Sequence, residues 1–159
     1  MPATIRKASI ADTPAIFRFI CELAEFEKAA DQVETSIAEL EQTVFGENAV
    51  VDALMCEEDG NPIAFALWYY TFSTWQGRPG IYLEDLYVTP AARGRGIGTM
   101  ILKHLARFAV DNGYGRFEWS VLDWNTPAIR TYDATGARPQ SEWIRYRLSG
   151  VELESFASA

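Results

Sequence analysis

The pattern of apolar and polar positions predicts strands that alternate with helices along most of the chain. Ile16, Ile20 and Leu23 recur at the spacing of one helical face, and residues 99–112 repeat that pattern after a glycine-rich loop. Helix-start residues predict two shorter helices, at 35–45 and from residue 125 onward. Apolar runs bounded by turn residues predict strands at 4–7, 50–56, 63–72, 81–88, 116–121 and 143–148. This alternation indicates an α/β fold with a mixed sheet.

The chain shows no internal repeat, low-complexity tract or linker, so one domain is predicted over residues 1–150, followed by a C-terminal tail at 151–159. A length of 159 residues suits one domain, and 48% hydrophobic residues can fill its core without metal or disulfide. Cys21 and Cys56 are the only cysteines, which is too few for a disulfide framework.

The net charge of −8 argues against a nucleic-acid partner, which needs a basic face. An acidic surface can attract a cationic small substrate, although solubility alone also explains such a charge. No apolar run spans a membrane and no leader-like segment precedes residue 13, so we expect a cytoplasmic protein without a membrane partner. His104, the single histidine, lies on the polar face of the predicted helix 99–112, and no metal site is expected.

Residues 81–98 combine a strand that carries two carboxylates, Glu84 and Asp85, with a glycine-rich loop and a helix start. Glycines allow backbone amides to converge on one point, and a helix N-terminus adds positive partial charge. The loop therefore predicts a pyrophosphate site. The Rossmann fingerprint would need glycine where Thr99 stands, and the Walker loop would need a lysine, so both nucleotide motifs fail. A merely flexible turn remains the alternative.

Two motifs in order resemble those of the GNAT superfamily of N-acetyltransferases, over about residues 4–148. The first is Arg93-x-x-Gly96-x-Gly98, and the second comprises Asn125, Ala128, Tyr132 and Gly136-Ala137. Within the superfamily, Tyr82-Leu83-Glu84-Asp85, Trp124-Asn125-x-Pro127 and Leu23-Ala24-x-Phe26-Glu27 resemble the diamine acetyltransferases that act on spermidine, spermine or thialysine. The resemblance implies a GNAT fold: a mixed, mostly antiparallel sheet, flanked by helices and splayed at the acetyl-CoA site.

The resemblance also implies an activity and its residues. An acetyl group would move from acetyl-CoA to a primary amine by direct attack, in a protein that forms a homodimer. Cofactor-binding residues would be Leu86, Tyr87, Val88, Arg93, Gly94, Arg95, Gly96, Ile97, Gly98, Thr99, Asn125, Pro127, Ala128 and Tyr132. Substrate-binding residues would be Phe26, Glu27, Trp75, Glu84, Asp85 and Glu142. Tyr132 would donate a proton to the leaving thiolate, and Glu84 would face the amine.

Elementary chemistry agrees with these roles. A primary amine with a pKa of roughly 10 is protonated at neutral pH and cannot attack until a carboxylate accepts its proton. Strict alternation along a strand puts Glu84 and Asp85 on opposite faces, so we assign the acid–base role to Glu84 and expect Asp85 to organise the pocket or the strand. Burial would raise either pKa.

The substrate remains open between several classes of amine. Phe72-Ser73-Thr74 occupies the segment before Trp75 where the diamine enzymes usually carry an acidic residue, which favours a shorter amine or a thialysine-like amino acid over spermidine. One alternative is acylation of a protein N-terminus or lysine, and another is a non-catalytic acyl-CoA-binding module. The acidic pocket residues and the occupied turn at Trp75 favour a small cationic amine.

Overall fold

The computed structural model describes residues 2–159, which form two compact units, one within residues 2–124 and one of residues 125–159. The strands are β1 (Thr4–Lys7), β2 (Val51–Glu58), β3 (Asn61–Ser73), β4 (Arg78–Val88) and β5 (Phe117–Trp119). The helices are α1 (Thr13–Phe26), α2 (Ile37–Phe45), α3 (Ile97–Asp111), α4 (Thr126–Ala134) and α5 (Gly150–Ala157). This confirms the predicted order of elements through α4. Across the described residues, no helix combines the length and the apolar character that a membrane span needs.

The sheet of the first unit has the order β1-β2-β3-β4-β5 and is mixed and mostly antiparallel, as predicted. Only β4 and β5 run parallel, and their pairing extends from Ile81 opposite Phe117 to Leu83 opposite Trp119. Beyond Leu83, β4 continues without a strand partner on that side within the described residues. The parallel strands β4 and β5 therefore part halfway along β4, which creates the predicted splay.

A β-bulge lies at the point where the strands part. Leu83 pairs with Trp68 and Asp85 pairs with Leu67, so Glu84 is an extra residue without a partner on β3. A bulge interrupts the two-residue alternation of side chains. Strict alternation therefore does not hold at this point: Leu83 and Asp85 lie on opposite faces of the sheet, and Glu84 occupies the bulge between them. The placement of Glu84 and Asp85 on opposite faces stays a prediction.

The hydrophobic core covers both faces of the sheet. On one face, Phe19 of α1 is fully buried, with its ring centre 5.9 Å from that of Phe65 and 5.3 Å from that of Tyr87. On the other face, Trp68 contacts Phe108 of α3 with ring centres 5.9 Å apart. The two sets lie on opposite faces because successive strand residues alternate. α1 and α3 thus pack on opposite faces of the sheet beside its strands β3 and β4.

Arg6 of β1 connects the start of α1 to the sheet. Its two terminal nitrogens donate to the Asp12 carboxylate at 2.8 and 2.7 Å, and one of them also donates to Glu57 at 2.5 Å. The Ser9 amide donates to the same carboxylate at 2.8 Å. Asp12 is only 8% exposed. The bonds from Arg6, and after them the bond from Ser9, lower the pKa of Asp12 to about 2, although burial opposes the shift.

We expect Asp12→Asn to lower the free energy of unfolding at neutral pH by about 2 kcal/mol, because the charge-assisted bonds from Arg6 are weakened. In the unfolded chain Asp12 takes up its proton near pH 4, whereas in the folded protein it stays ionised to about pH 2. Its contribution to stability is therefore complete above about pH 4 and is lost as the pH falls toward 2. Denaturant unfolding across this range measures the effect, with the exposed Asp31→Asn as control. An equal acid slope in the wild type and Asp12→Asn would contradict the assignment.

The second unit corrects two predictions. No strand forms at 143–148, and residues 125–159 contain no other strand that could pair with this segment. The tail, predicted to fray, contains α5 at Gly150–Ala157, with Ser149 at its N-cap. The single-domain boundary at residue 150 stays a prediction.

Candidate active site

The loop between β4 and α3 presents an open helix N-terminus. Gly94 and Gly96 have φ values of 72° and 78°, which favour glycine, and Gly96 is the N-cap of α3. At Gly94, Gly96 and Gly98 an added Cβ would meet no atom within 4 Å, so space remains beside the loop. The first helical bond of α3 runs from the Met100 amide to Gly96 at 2.9 Å, so the amides of residues 97–99 have no acceptor within the helix. This arrangement fits an anion such as pyrophosphate.

Arg95 of the loop is paired within the protein. Both of its terminal nitrogens donate to the Glu58 carboxylate of β2, one of them at 3.1 Å. The bonds from Arg95 lower the pKa of Glu58. A phosphate at the loop would therefore compete with Glu58 for this guanidinium.

Arg93, the first residue of the glycine motif, turns back toward the sheet. Its Nε donates to the Val88 carbonyl at 2.9 Å. Its guanidinium carbon lies 5.4 Å from the ring centre of Phe26 and 5.6 Å from that of Tyr87. The Tyr87 hydroxyl donates to Glu22 of α1 at 2.5 Å, and burial, followed by this bond, raises the pKa of Tyr87 to about 12.

Three carboxylates share one region where the end of α1 meets the bulge of β4. Burial, and then the negative charges of Glu84 and Glu27, raise the pKa of Asp85 to about 7. Burial, and then the charge of Glu84, also raise the pKa of Glu27, the C-cap residue of α1. Glu84 itself is exposed on the bulge. Such a concentration of negative charge suits a cationic ligand, which would relieve the repulsion.

An aromatic wall lies next to Glu27. Phe26 is 42% exposed, with its ring centre 5.9 Å from that of Trp124. The Lys28 ammonium lies 4.7 Å from the ring centre of Trp124. The sequence motifs contained Trp124 but assigned it no role, and its tilted contact with Phe26 was not predictable from spacing because it joins distant segments.

The predicted pocket residue Trp75 lies elsewhere. It is 82% exposed in the turn between β3 and β4. Glu84 follows the first residue of β4, Arg78, by six positions, which corresponds to roughly 20 Å along the strand. The structure therefore does not bring Trp75 to the three carboxylates, and its role as a pocket wall stays a prediction.

The remaining predicted residues belong to the second unit. The Asn125 side chain accepts from the Ala128 amide at 3.4 Å and caps α4, with Pro127 in the first turn. Tyr132 lies one helical turn after Ala128 in α4, and Glu142 lies in a turn after this helix. The predicted helix start is confirmed, and the roles of these residues in binding and catalysis stay predictions.

A splayed, mixed sheet with a glycine loop leading into α3 defines the class of protein. The model of the Acetyltransferase (GNAT) family matches residues 17–137, so the chain belongs to this family. The predicted GNAT fold is confirmed, and the protein is an acetyltransferase.

Individual relatives lie close to one branch of the family. The chain is 42% identical to thialysine N-epsilon-acetyltransferase of Sus scrofa, over an alignment that covers 96% of each chain. It is 34% identical to spermidine/spermine N(1)-acetyltransferase-like protein 1 of Homo sapiens, with 96% of this chain aligned to 23% of that protein. An integron cassette protein from the mobile metagenome of V. cholerae is similar in structure, with a TM-score of 0.84, 26% identity and coverage of 100% and 99%. The resemblance to the diamine acetyltransferases is thereby confirmed.

Proposed function

We propose that this acetyltransferase moves an acetyl group from acetyl-CoA to a primary amine of a small cationic substrate: a diamine, a polyamine or a thialysine-like amino acid. The observation that carries the proposal is the group of three carboxylates, Glu27, Glu84 and Asp85, in which burial and then the neighbouring negative charges raise the pKa of Glu27 and of Asp85. The names of the relatives, thialysine and spermidine/spermine acetyltransferases, support the same substrate class. By family resemblance we further propose a cytoplasmic homodimer.

The chain's own residues fit the cofactor. The amides of residues 97–99, together with the open space at Gly94 and Gly96, would hold the pyrophosphate. Beyond Leu83, the edge of β4 that has no partner strand would accommodate the pantetheine arm. When bound, acetyl-CoA supplies an activated thioester as the acetyl donor.

The carboxylates would bind the ammonium group and then accept its proton. Glu84 and Glu27 would add negative potential, which holds a cation at the bulge. Asp85, with a pKa of about 7, matches the working range of a general base better than an exposed carboxylate does. We therefore move the proton-accepting role from Glu84, the sequence-based candidate, to Asp85. Tyr132 remains our candidate to hold a proton on its phenolic oxygen for the leaving sulfur.

The segment before Trp75 argues for a short amine. Phe72, Ser73 and Thr74 carry no negative charge, so this segment offers no anionic contact for the far end of a long polyamine. A substrate with two cationic groups close together could place both of them beside the three carboxylates Glu27, Glu84 and Asp85. Thialysine-like amino acids and short diamines are therefore the substrates we expect to be preferred over spermidine.

A thiol-release assay with acetyl-CoA and a panel of amines tests this proposal. The panel contains thialysine, a short diamine, spermidine, a neutral amino-acid amide and a peptide with a free N-terminus. We expect release with the short cationic amines, less with spermidine, and background rates with the neutral amine and the peptide. Preference for the peptide would indicate a protein acetyltransferase. Tight CoA binding without release for any amine would indicate a non-catalytic module.

A further inference from the structure

We propose that Arg93 is a positioning residue: its side chain connects the cofactor loop to the amine pocket through Phe26 and does not serve as a phosphate ligand. This inference rests on the proposed function of the same site. The glycine motif suggested that the Arg93 side chain binds the cofactor, and the proposal changes that role. The backbone amides of the loop keep their proposed role of binding the pyrophosphate.

The first step of the argument is the bond from Arg93 to β4. The Thr89 amide donates to Ile63 of β3 at 2.9 Å, so Thr89 directs its backbone groups toward β3. Because these groups alternate along a strand, the carbonyl of Val88 points to the opposite side, where β4 has no partner strand. Arg93 Nε donates to this carbonyl at 2.9 Å. The guanidinium is therefore held at the edge of the sheet, turned back from the loop.

The second step is the pair of rings that the guanidinium faces. Tyr87 is 4% exposed and is anchored to Glu22 through its hydroxyl, so its ring is fixed. Phe26 is 42% exposed and lies at the last residue of α1, next to Glu27 of the carboxylate group. Arg93 lies within 5.6 Å of both ring centres. The contact joins a fixed ring on the sheet to a more exposed ring in the amine pocket, and so orients the end of α1.

The third step is the chemistry that each role requires. A phosphate ligand needs only a positive charge, which lysine also provides. Packing against two rings while donating through Nε requires the planar guanidinium, which lysine lacks. Arg93→Lys and Arg93→Gln therefore separate the two roles, because they lose the same geometry but only the second loses the charge.

Steady-state kinetics on Arg93→Lys and Arg93→Gln test the proposal, with the exposed Arg107→Gln as matched control. We expect both Arg93 variants to raise the KM for the amine about tenfold, since a cation–π contact and a hydrogen bond are lost. The KM for acetyl-CoA should stay within about twofold of the wild type. A rise in the KM for acetyl-CoA in Arg93→Gln that lysine restores would overturn the proposal, and so would an unchanged KM for the amine in both variants.

Phe26→Leu is a second variant that removes the other partner of the contact. We expect it to raise the KM for the amine as well, and the double variant with Arg93→Gln to be little worse than either single variant, because both act through one contact. Independent, multiplying effects of the two substitutions would contradict a shared role. Thermal unfolding of each variant shows that the fold is retained.

Two measurements do not depend on turnover. Calorimetry with CoA alone should give a similar Kd for the wild type and Arg93→Gln, and hydrogen exchange should be faster at residues 23–28 in the variant. If the wild type acetylates no amine, the proposed function fails while these measurements still decide the role of Arg93. A weaker Kd for CoA with unchanged exchange at residues 23–28 would assign Arg93 to the phosphates.

Discussion

Tyr132→Phe is expected to lower kcat for acetyl transfer about a hundredfold while the Kd for acetyl-CoA stays nearly unchanged. The substitution removes only the phenolic oxygen, which we propose supplies a proton to the leaving sulfur, and it keeps the aromatic ring. Thiol release under saturating substrates gives kcat, and calorimetry gives the Kd.

Tyr146→Phe is the matched control for this prediction. Tyr146 also lies in the second unit and is 91% exposed, so loss of its hydroxyl should not change either constant. A wild-type kcat in Tyr132→Phe would remove the proton-donor role. A large rise in the Kd for acetyl-CoA with unchanged kcat would assign Tyr132 to cofactor binding alone.

Asp85→Asn is expected to lower kcat/KM for the amine by about a hundredfold at neutral pH, because the group that accepts the proton is lost. In the wild type, kcat/KM should rise with pH through an apparent pKa near 7, since Asp85 must be ionised to act and its pKa is raised to about 7. In Asp85→Asn this rise of kcat/KM with pH, the acidic limb of the profile, should be absent. The measurement is the pH profile of kcat/KM from about pH 5 to 9 in buffers of constant ionic strength.

Glu84→Gln distinguishes the two neighbouring carboxylates. The charge of Glu84 helps to raise the pKa of Asp85, so its removal should shift the acidic limb to lower pH with a smaller loss of rate. Glu25→Gln is the control, because it removes an exposed carboxylate of α1 near Glu27. It should leave the pH profile of kcat/KM unchanged. If Glu84→Gln abolishes the limb and Asp85→Asn retains it, Glu84 is the proton acceptor, as the sequence alone had suggested.

Elements that depend on local pattern were predictable from the sequence. The apolar stripe of α1 and the glycines before α3 depend on spacing and backbone freedom within a few residues, and the structure places them as expected. The arrangement of the three carboxylates Glu27, Glu84 and Asp85 was only partly predictable from the sequence. Each was a candidate, but nothing in the residues around Glu84 marks a bulge, because that depends on the register with β3.

Features that depend on long-range partners were not predictable. The direction of the Arg93 side chain is set by Phe26 and Tyr87, which belong to other elements of the first unit. The strand expected at 143–148 has the right alternation, but pattern alone cannot supply a neighbouring strand. The turn at Trp75 was located correctly, whereas its separation from Glu84 follows from the length of β4.

The parting of β4 from β5 leaves an edge inside the sheet, and such an edge can template pairing with a strand of another molecule. Arg93 covers one acceptor on this edge, the Val88 carbonyl, and places a charged side chain beside it. Charged residues are a common means of blocking growth of a sheet at its edge. A cofactor lying in the gap would cover the remaining groups. When no cofactor is bound, Arg93 would thus limit pairing of this edge with a strand of another molecule.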